Sequence, residues 1–271
     1  MSTLVFLEHS DGSIVKGSLG VLSRAAAVDS DVAGVLVGSD VAGLAEQAAK
    51  HGAARVFVAE DASLEAPLPQ PRVDVIADLV GAQGFDNVLL GASVLASDIA
   101  GGLSARLDAG LNWDLGDIEM NGSELVGKRA ALGDSVMVDV GWKQTPRIGL
   151  FRSGSFDPAE SAGAGAVENA AVSVQDFSNQ ATLVGQDREK AEGPSIEEAD
   201  ILVTGGRGLG EPETFAMVEE LAEALGGAVA ATRAVGDTGW YPSAAQIGQT
   251  GTTVSPKLDV GAGGAGAIRR R

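Results

Sequence analysis

The sequence predicts an α/β protein: an N-terminal parallel-sheet domain with a strand-rich extension, followed by an incomplete doubly wound unit. Three observations carry this. Short unbroken apolar runs alternate with Ala-rich stretches at helical spacing up to Leu107. Beyond Asn112 the helical stretches give way to apolar runs joined by Gly turns. A new strand, Gly turn and helix then begin at Ile201. Unbroken apolar strands between helices indicate a parallel sheet covered on both faces.

In chain order, Leu4 to Leu7 reads as a buried strand and Val15 to Ala27 as a helix. Val32 to Val37 is a second strand, and Val41 to His51 a helix with Leu44, Ala48 and His51 on one face. Arg55 to Val58 is a third strand, Val73 to Gly81 a helix, Asn87 to Leu90 a fourth strand, and Ala96 to Leu107 a helix. Ile118 to Leu125, Leu125 to Ala130, Ser135 to Val140 and Arg147 to Phe151 are strands that extend the first sheet or form an antiparallel addition. Pro158 to Gly165 is a small-residue loop, and the polar stretch from Gln180 to Pro194 is an interdomain linker. The expected domains are 1–190, with the linker, and 191–271.

In the second unit Ile201 to Thr204 is a strand, Gly205 to Gly208 a turn, and Pro212 to Leu225 a helix with Phe215, Val218, Ala222 and Leu225 on one face. Gly226 and Gly227 stop that helix with a left-handed cap, and Ala228 to Ala231 is the next strand. This amounts to about two strands and one clear helix, short of the three strands and two helices of a complete βαβαβ half. Val203, Val229 and Val260 are therefore expected to be poorly covered.

Composition narrows the function. The 271-residue chain is 45% hydrophobic and only 4% aromatic, so its core is built from Ala, Val, Leu and Ile. A formal net charge of −18 gives no general attraction for nucleic acid or anionic membrane. The absence of cysteine excludes disulfides, thiolate catalysis and cysteine metal sites. His9 and His51 lack ligand spacing, so no metal site is expected. The N-terminus lacks the pattern of a secretory signal, and no apolar run reaches the length of a membrane span. The expectation is a cytoplasmic protein, not a membrane protein, with no Ser/His/Asp set and no P-loop.

Three segments of the second unit stand together in order: ADILVTGGRGLGEPETF from Ala199, LAEALGGAVAATRAVGDTGWYPSAAQIGQTG from Leu221, and SPKLDVGAGGAGAI from Ser255. This set resembles the FAD-binding domain of electron-transfer flavoprotein alpha subunits. LEHSDG, LLGAS and PRIGLFRSGSF agree more loosely in the first unit, so the resemblance spans nearly the whole chain. It implies an electron carrier rather than a catalyst of substrate turnover, with no catalytic residues. It implies FAD as cofactor and a heterodimer with a beta subunit. The expected donors are flavin dehydrogenases such as the acyl-CoA dehydrogenases of fatty acid beta-oxidation, and the acceptor is a quinone oxidoreductase. The alternative is a non-redox nucleotide-binding or interaction protein that has lost flavin through C-terminal truncation.

The resemblance assigns cofactor-binding roles to Arg207, Thr232, Arg233, Gln249, Thr250, Gly251, Gly263, Gly264, Gly266 and Ala267. Arg207 lies in a Gly-rich strand–helix turn, where amides and a helix N-terminus favour an anion; a solvated turn arginine fits the same residues. Arg233, after a buried strand and so expected to be desolvated, would stabilise negative charge on a reduced flavin or form an ion pair with Asp237 or a nearby Glu. The Thr250 hydroxyl can donate or accept at a flavin edge. Gly263, Gly264, Gly266 and Ala267 would let the backbone approach a phosphate, or form a flexible tail. The chain departs from the family pattern at Asp259, Ala265 and Arg270. The family's adenosine-gripping segment lies further on, so a truncated or altered C-terminus is expected, and with it weak, easily dialysed FAD in this chain.

Overall fold

The computed structural model describes all residues except 123, 162, 164, 186–194, 197–198, 249 and 265–271. The chain divides into two units, Met1–Gln186 and Asp187–Arg271.

The first unit opens with β1 (Thr3–Phe6), the short hairpin β2 (His9–Ser10) and β3 (Ser13–Ile14), and α1 (Lys16–Val28). β4 (Val32–Gly38), α2 (Ala45–Lys50), β5 (Arg55–Glu60), α3 (Pro69–Gln83), β6 (Asn87–Gly91) and α4 (Val94–Arg106) follow. Then come β7 (Leu111–Asn121), β8 (Glu124–Ala131), β9 (Val136–Val140), β10 (Arg147–Phe151) and β11 (Ala166–Asn169). These build a nine-stranded sheet in the order β11-β5-β4-β1-β6-β10-β7-β8-β9.

Every residue of β1 and β4 is buried, because helices cover both faces. Leu4 and Phe6 enter one core with Ile76, Ile99 and Leu103; Val5 and Leu7 enter the other with Leu19, Leu22 and Ala48. The alternation follows from the two-residue side-chain period of a strand.

Of the two arrangements open for the strands after Asn112, the structure realises both: the first sheet continues, and its outer pairs are antiparallel. β7 pairs parallel with β10 and antiparallel with β8, which pairs antiparallel with β9. β11 escapes the sequence pattern because all four of its residues are exposed, and it is held on β5 by main-chain pairing. The helix expected from Val41 is a 3-10 turn at Ala42–Leu44 followed by α2. Its start is fixed by Glu60, whose carboxylate accepts the N–H groups of Val41 and Ala42, each at 2.9 Å. α3 starts four residues before the expected Val73, with Pro69 in its first turn.

His9 gives this unit a pH dependence. Burial holds its pKa below the usual 6.5; a hydrogen bond to Val37 O pulls the other way, and the charge of Arg72 acts with burial. The unfolded chain therefore takes up the proton first as pH falls. The stability contributed by neutral His9 is complete above about pH 6.5 and is lost below it. Chemical denaturation at about pH 8 and about pH 5.5 should show a smaller loss for His9→Gln than for the parent chain. Equal losses would remove His9 from the account.

The second unit contains β12 (Ile201–Gly205), α5 (Ala216–Leu225), β13 (Ala228–Ala231), the short α6 (Arg233–Asp237) and β14 (Leu258–Ala262). Its sheet is three parallel strands in the order β13-β12-β14. This corrects the expected count of two. β14 was illegible because it is an exposed edge strand, with Leu258 at 46% exposure and Asp259 and Gly261 turned to solvent. Coverage is better than expected at Val203 only, for Val229 is half-buried and Val260 is half-buried and outside the core cluster. Val203 is fully buried, packed with Phe215, Val218, Ala222, Ala231 and Val235, while Val229, Trp240 and Tyr241 close the margin. Phe215 and Tyr241 stack with centroids 4.6 Å apart. α5 ends at Gly226 in the left-handed conformation, φ 64°.

Candidate functional site

In a doubly wound sheet, ligands bind beyond the carboxyl ends of the strands, where strand order reverses. In the second unit β13 lies on one side of β12 and β14 on the other, so the reversal falls at β12 and β14. The predicted site residues in the described part of the chain collect on this edge.

β12 ends at Gly205 and passes into Gly206 and a 3-10 turn, Arg207–Leu209. β13 ends at Ala231 and passes into Thr232 and α6. The two strand ends are tied by Thr232 N–H donating to Gly205 O at 3.0 Å. β14 ends at Ala262 and passes into Gly263 and Gly264. The β12 and β14 turns interlock through backbone: Gly206 N–H donates to Ala262 O at 2.8 Å, and Gly208 N–H to Gly263 O at 2.7 Å. No side chain fits between them. A Cβ on Gly206 would meet Gly263 O at 2.5 Å, and one on Gly208 would meet it at 2.6 Å. Gly263 itself holds φ +64°.

Thr250 and Gly251 sit on a small loop closed at its base. Thr252 N–H donates to Gln246 O at 2.8 Å, and Ile247 N–H to Ala231 O at 3.0 Å, so the loop is docked on the end of β13. Gln246 Nε2 donates to Thr250 Oγ1 at 3.0 Å. Gln249, Gly266 and Ala267 lie outside the described residues.

The structure thus places Arg207, Thr232, Arg233, Thr250, Gly251, Gly263 and Gly264 on one edge, and it alters two of the supporting arguments. Arg233 was expected to be desolvated. Its side chain is 64% exposed, and its Nε pairs with Asp237 at 3.2 Å. The Arg207 turn was expected to open a helix. It is a 3-10 turn closed at Gly210, and α5 starts only at Ala216. The Gly206 and Gly208 amides are spent on β14's turn, so they hold no anion. Charge on this edge comes from the exposed guanidinium groups of Arg207 and Arg233 instead, and oxygen donors come from Thr232 and Thr250. Guanidinium groups, hydroxyls and bare glycine backbone suit an anionic, oxygen-rich cofactor such as FAD.

Sequence reasoning left out three residues that shape the edge. Gln246 holds Thr250. Buried Thr204 donates to Asp259 Oδ1 at 2.7 Å, linking β12 to β14. Gly206, quoted only inside a motif, makes the interlock. None has a periodic signal: Thr204 and Gly206 act across sequence gaps that only folding closes, and Gln246 acts within an irregular loop.

The corresponding edge of the first unit is filled by its own side chains. Ser93 caps α4 by accepting Ala96 N–H at 2.9 Å, and it donates to Glu8 Oε2 at 2.5 Å. A carboxylate in that position disfavours an anionic ligand.

This geometry defines the class: a doubly wound α/β protein whose second unit offers a ligand edge at the reversal of strand order. Comparison with known proteins agrees. Residues 3–176 match the model of the electron transfer flavoprotein domain, and residues 195–270 that of the electron transfer flavoprotein FAD-binding domain. Electron transfer flavoprotein subunit alpha of Mycobacterium leprae is 36% identical, over 99% of this chain and 84% of that protein. Protein FixB of Clostridium saccharobutylicum is 34% identical, over 98% and 81%. A probable mitochondrial electron transfer flavoprotein subunit alpha of Caenorhabditis elegans is 33% identical, over 99% and 80%. The chain belongs to the electron transfer flavoprotein alpha-subunit family. Among the described residues, no helix is long and apolar enough to cross a membrane.

Proposed function

We propose that this chain is the alpha subunit of a cytoplasmic electron carrier that binds FAD in residues 191–271 and works as a heterodimer with a beta subunit. It takes electrons from flavin dehydrogenases, such as acyl-CoA dehydrogenases, and delivers them to a quinone oxidoreductase. The observation that carries the reading is the convergence of the Gly206 turn, Thr232-Arg233 and the Thr250 loop on one sheet edge.

FAD supplies the electron-accepting chemistry when bound, and the protein supplies binding and electrostatics. Arg207 and Arg233 contribute positive charge toward the cofactor's anionic groups. The Arg233 contribution is moderated by Asp237 and by solvent, since an exposed ion pair is worth little. Asp237 occupies the Nε side of that guanidinium, which leaves its terminal nitrogens to donate elsewhere. Thr232 and Thr250 supply hydroxyls, and Gly251, Gly263 and Gly264 supply backbone without side-chain bulk. Gln249, Gly266 and Ala267 complete the proposed set.

The test is the visible absorption spectrum of the full chain co-purified with the beta subunit. Flavin bands in the co-purified protein are expected. Colourless protein that binds AMP would replace this reading with a non-redox nucleotide-binding one.

A further inference from the structure

Gln246 lies four residues before Thr250, at the base of the loop. Its backbone is fixed on both sides: its N–H donates to Ser243 O at 3.0 Å, and its carbonyl accepts Thr252 N–H at 2.8 Å. It also bridges Ala231, the last residue of β13. Its side chain therefore springs from one of the best-anchored points on this edge. The amide lies between α6 and the loop tip. A Cβ built on Gly236 would meet Gln246 Oε1 at 3.5 Å, and Nε2 donates to Thr250 Oγ1 at 3.0 Å.

A threonine hydroxyl has one proton to donate and two lone pairs. With Gln246 Nε2–H on one lone pair, the oxygen is held in place while its proton and second lone pair remain for a ligand. We propose that Gln246 is a positioning residue that fixes the orientation of the Thr250 hydroxyl, presenting it as a hydrogen-bonding group to the bound flavin. This rests on the FAD reading above. It adds a residue to the site and says what holds the Thr250 hydroxyl in place.

Because the effect runs through one hydrogen bond, it is testable with near-isosteric variants. Gln246→Met removes the donor without adding charge, Thr250→Val removes the hydroxyl, and Thr250→Ser keeps it. FAD affinity of each full chain, co-purified with the beta subunit and stripped of flavin, is measured by fluorescence titration. Gln246→Met and Thr250→Val should each weaken FAD roughly 3- to 10-fold, the range of one hydrogen bond. Thr250→Ser should stay near the parent. The double variant should bind no worse than the weaker single, because both changes delete the same interaction.

A second readout needs no flavin. In the stripped protein, the Gln246 side-chain amide NMR resonance should move in Thr250→Val and stay in Thr250→Ser. Parent-like FAD affinity in Gln246→Met, or additive losses in the double variant, would overturn the positioning role while leaving the FAD reading intact. A parent protein that takes up no FAD, with the resonance still moving in Thr250→Val, would instead sink the FAD reading and this inference with it.

Discussion

Gly206→Ala should destabilise the second unit by about 2–4 kcal/mol and abolish flavin retention, while the first unit melts as in the parent. The added Cβ would sit 2.5 Å from Gly263 O and 2.6 Å from Gly264 Cα. Both are backbone atoms, so neither can rotate aside as a side chain would. Relief requires the turns after β12 and β14 to separate. That breaks Gly206 N–H to Ala262 O and Gly208 N–H to Gly263 O, hydrogen bonds of 2.8 and 2.7 Å.

The second unit has little to absorb the loss. Its described core cluster holds only six buried residues, and β14 joins the sheet only through β12 among the described residues. Whole domains are stable by only about 5–15 kcal/mol, so the loss is a large fraction. Hydrogen exchange on the full chain is the measurement. Amides of β12 and β14 should lose protection in Gly206→Ala, and those of β1, β4 and β6 should not. Gly101→Ala is the control: it lies inside α4 with nothing within 4 Å of the new methyl, so it should be neutral or slightly stabilising. Parent-like protection in Gly206→Ala would mean the interlock does not exist.

The largest effect expected in the first unit is at Arg72. This arginine is 3% exposed. It donates to Ala66 O at 2.7 Å, Leu68 O at 3.0 Å and Leu64 O at 3.1 Å. It thereby closes the loop that leads from β5 into α3. Burial lowers its pKa, and the charge of Glu8 works against that shift. The guanidinium stays charged in either case, because its ordinary pKa lies so far above neutrality.

Arg72→Leu has roughly the right bulk but satisfies none of the three carbonyls. Each buried polar group left unpaired costs about 1–3 kcal/mol, with some recovery as the loop admits water. The net loss should be about 3–5 kcal/mol. Arg72→Lys should recover part of it, since one ammonium reaches fewer of the carbonyls than a planar fork. Denaturation in a Trp240→Phe background, followed by the fluorescence of Trp113 and Trp142 in the first unit, reports this directly. A midpoint within experimental error of the parent in Arg72→Leu would show that the three carbonyls find other partners at no cost.

Those two sites mark the boundary between what sequence alone determined and what folding decided. The order of strands and helices was legible because it is local. Runs such as Val32 to Val37 are buried on both faces, and Phe215, Val218 and Ala222 recur at the helical period. The family was legible because GGRG, TRA and QIGQTG stand in order along the chain. What failed was whatever depends on pairing across long gaps. β11 and β14 carry exposed side chains and are strands only because β5 and β12 offer them main-chain partners. Arg72 looks like a surface residue until Leu64, Ala66 and Leu68 turn their carbonyls onto it. Arg233 looked buried because it follows a buried strand, yet α6 begins there and carries it into solvent beside Asp237. Gly206 and Gly263 are unremarkable as letters; they are indispensable because two turns more than fifty residues apart meet backbone to backbone, at a separation no Cβ allows. Periodicity and ordered motifs are written along the chain, while edge pairing, buried charge and close backbone approach are set by contacts between segments that the sequence lists far apart.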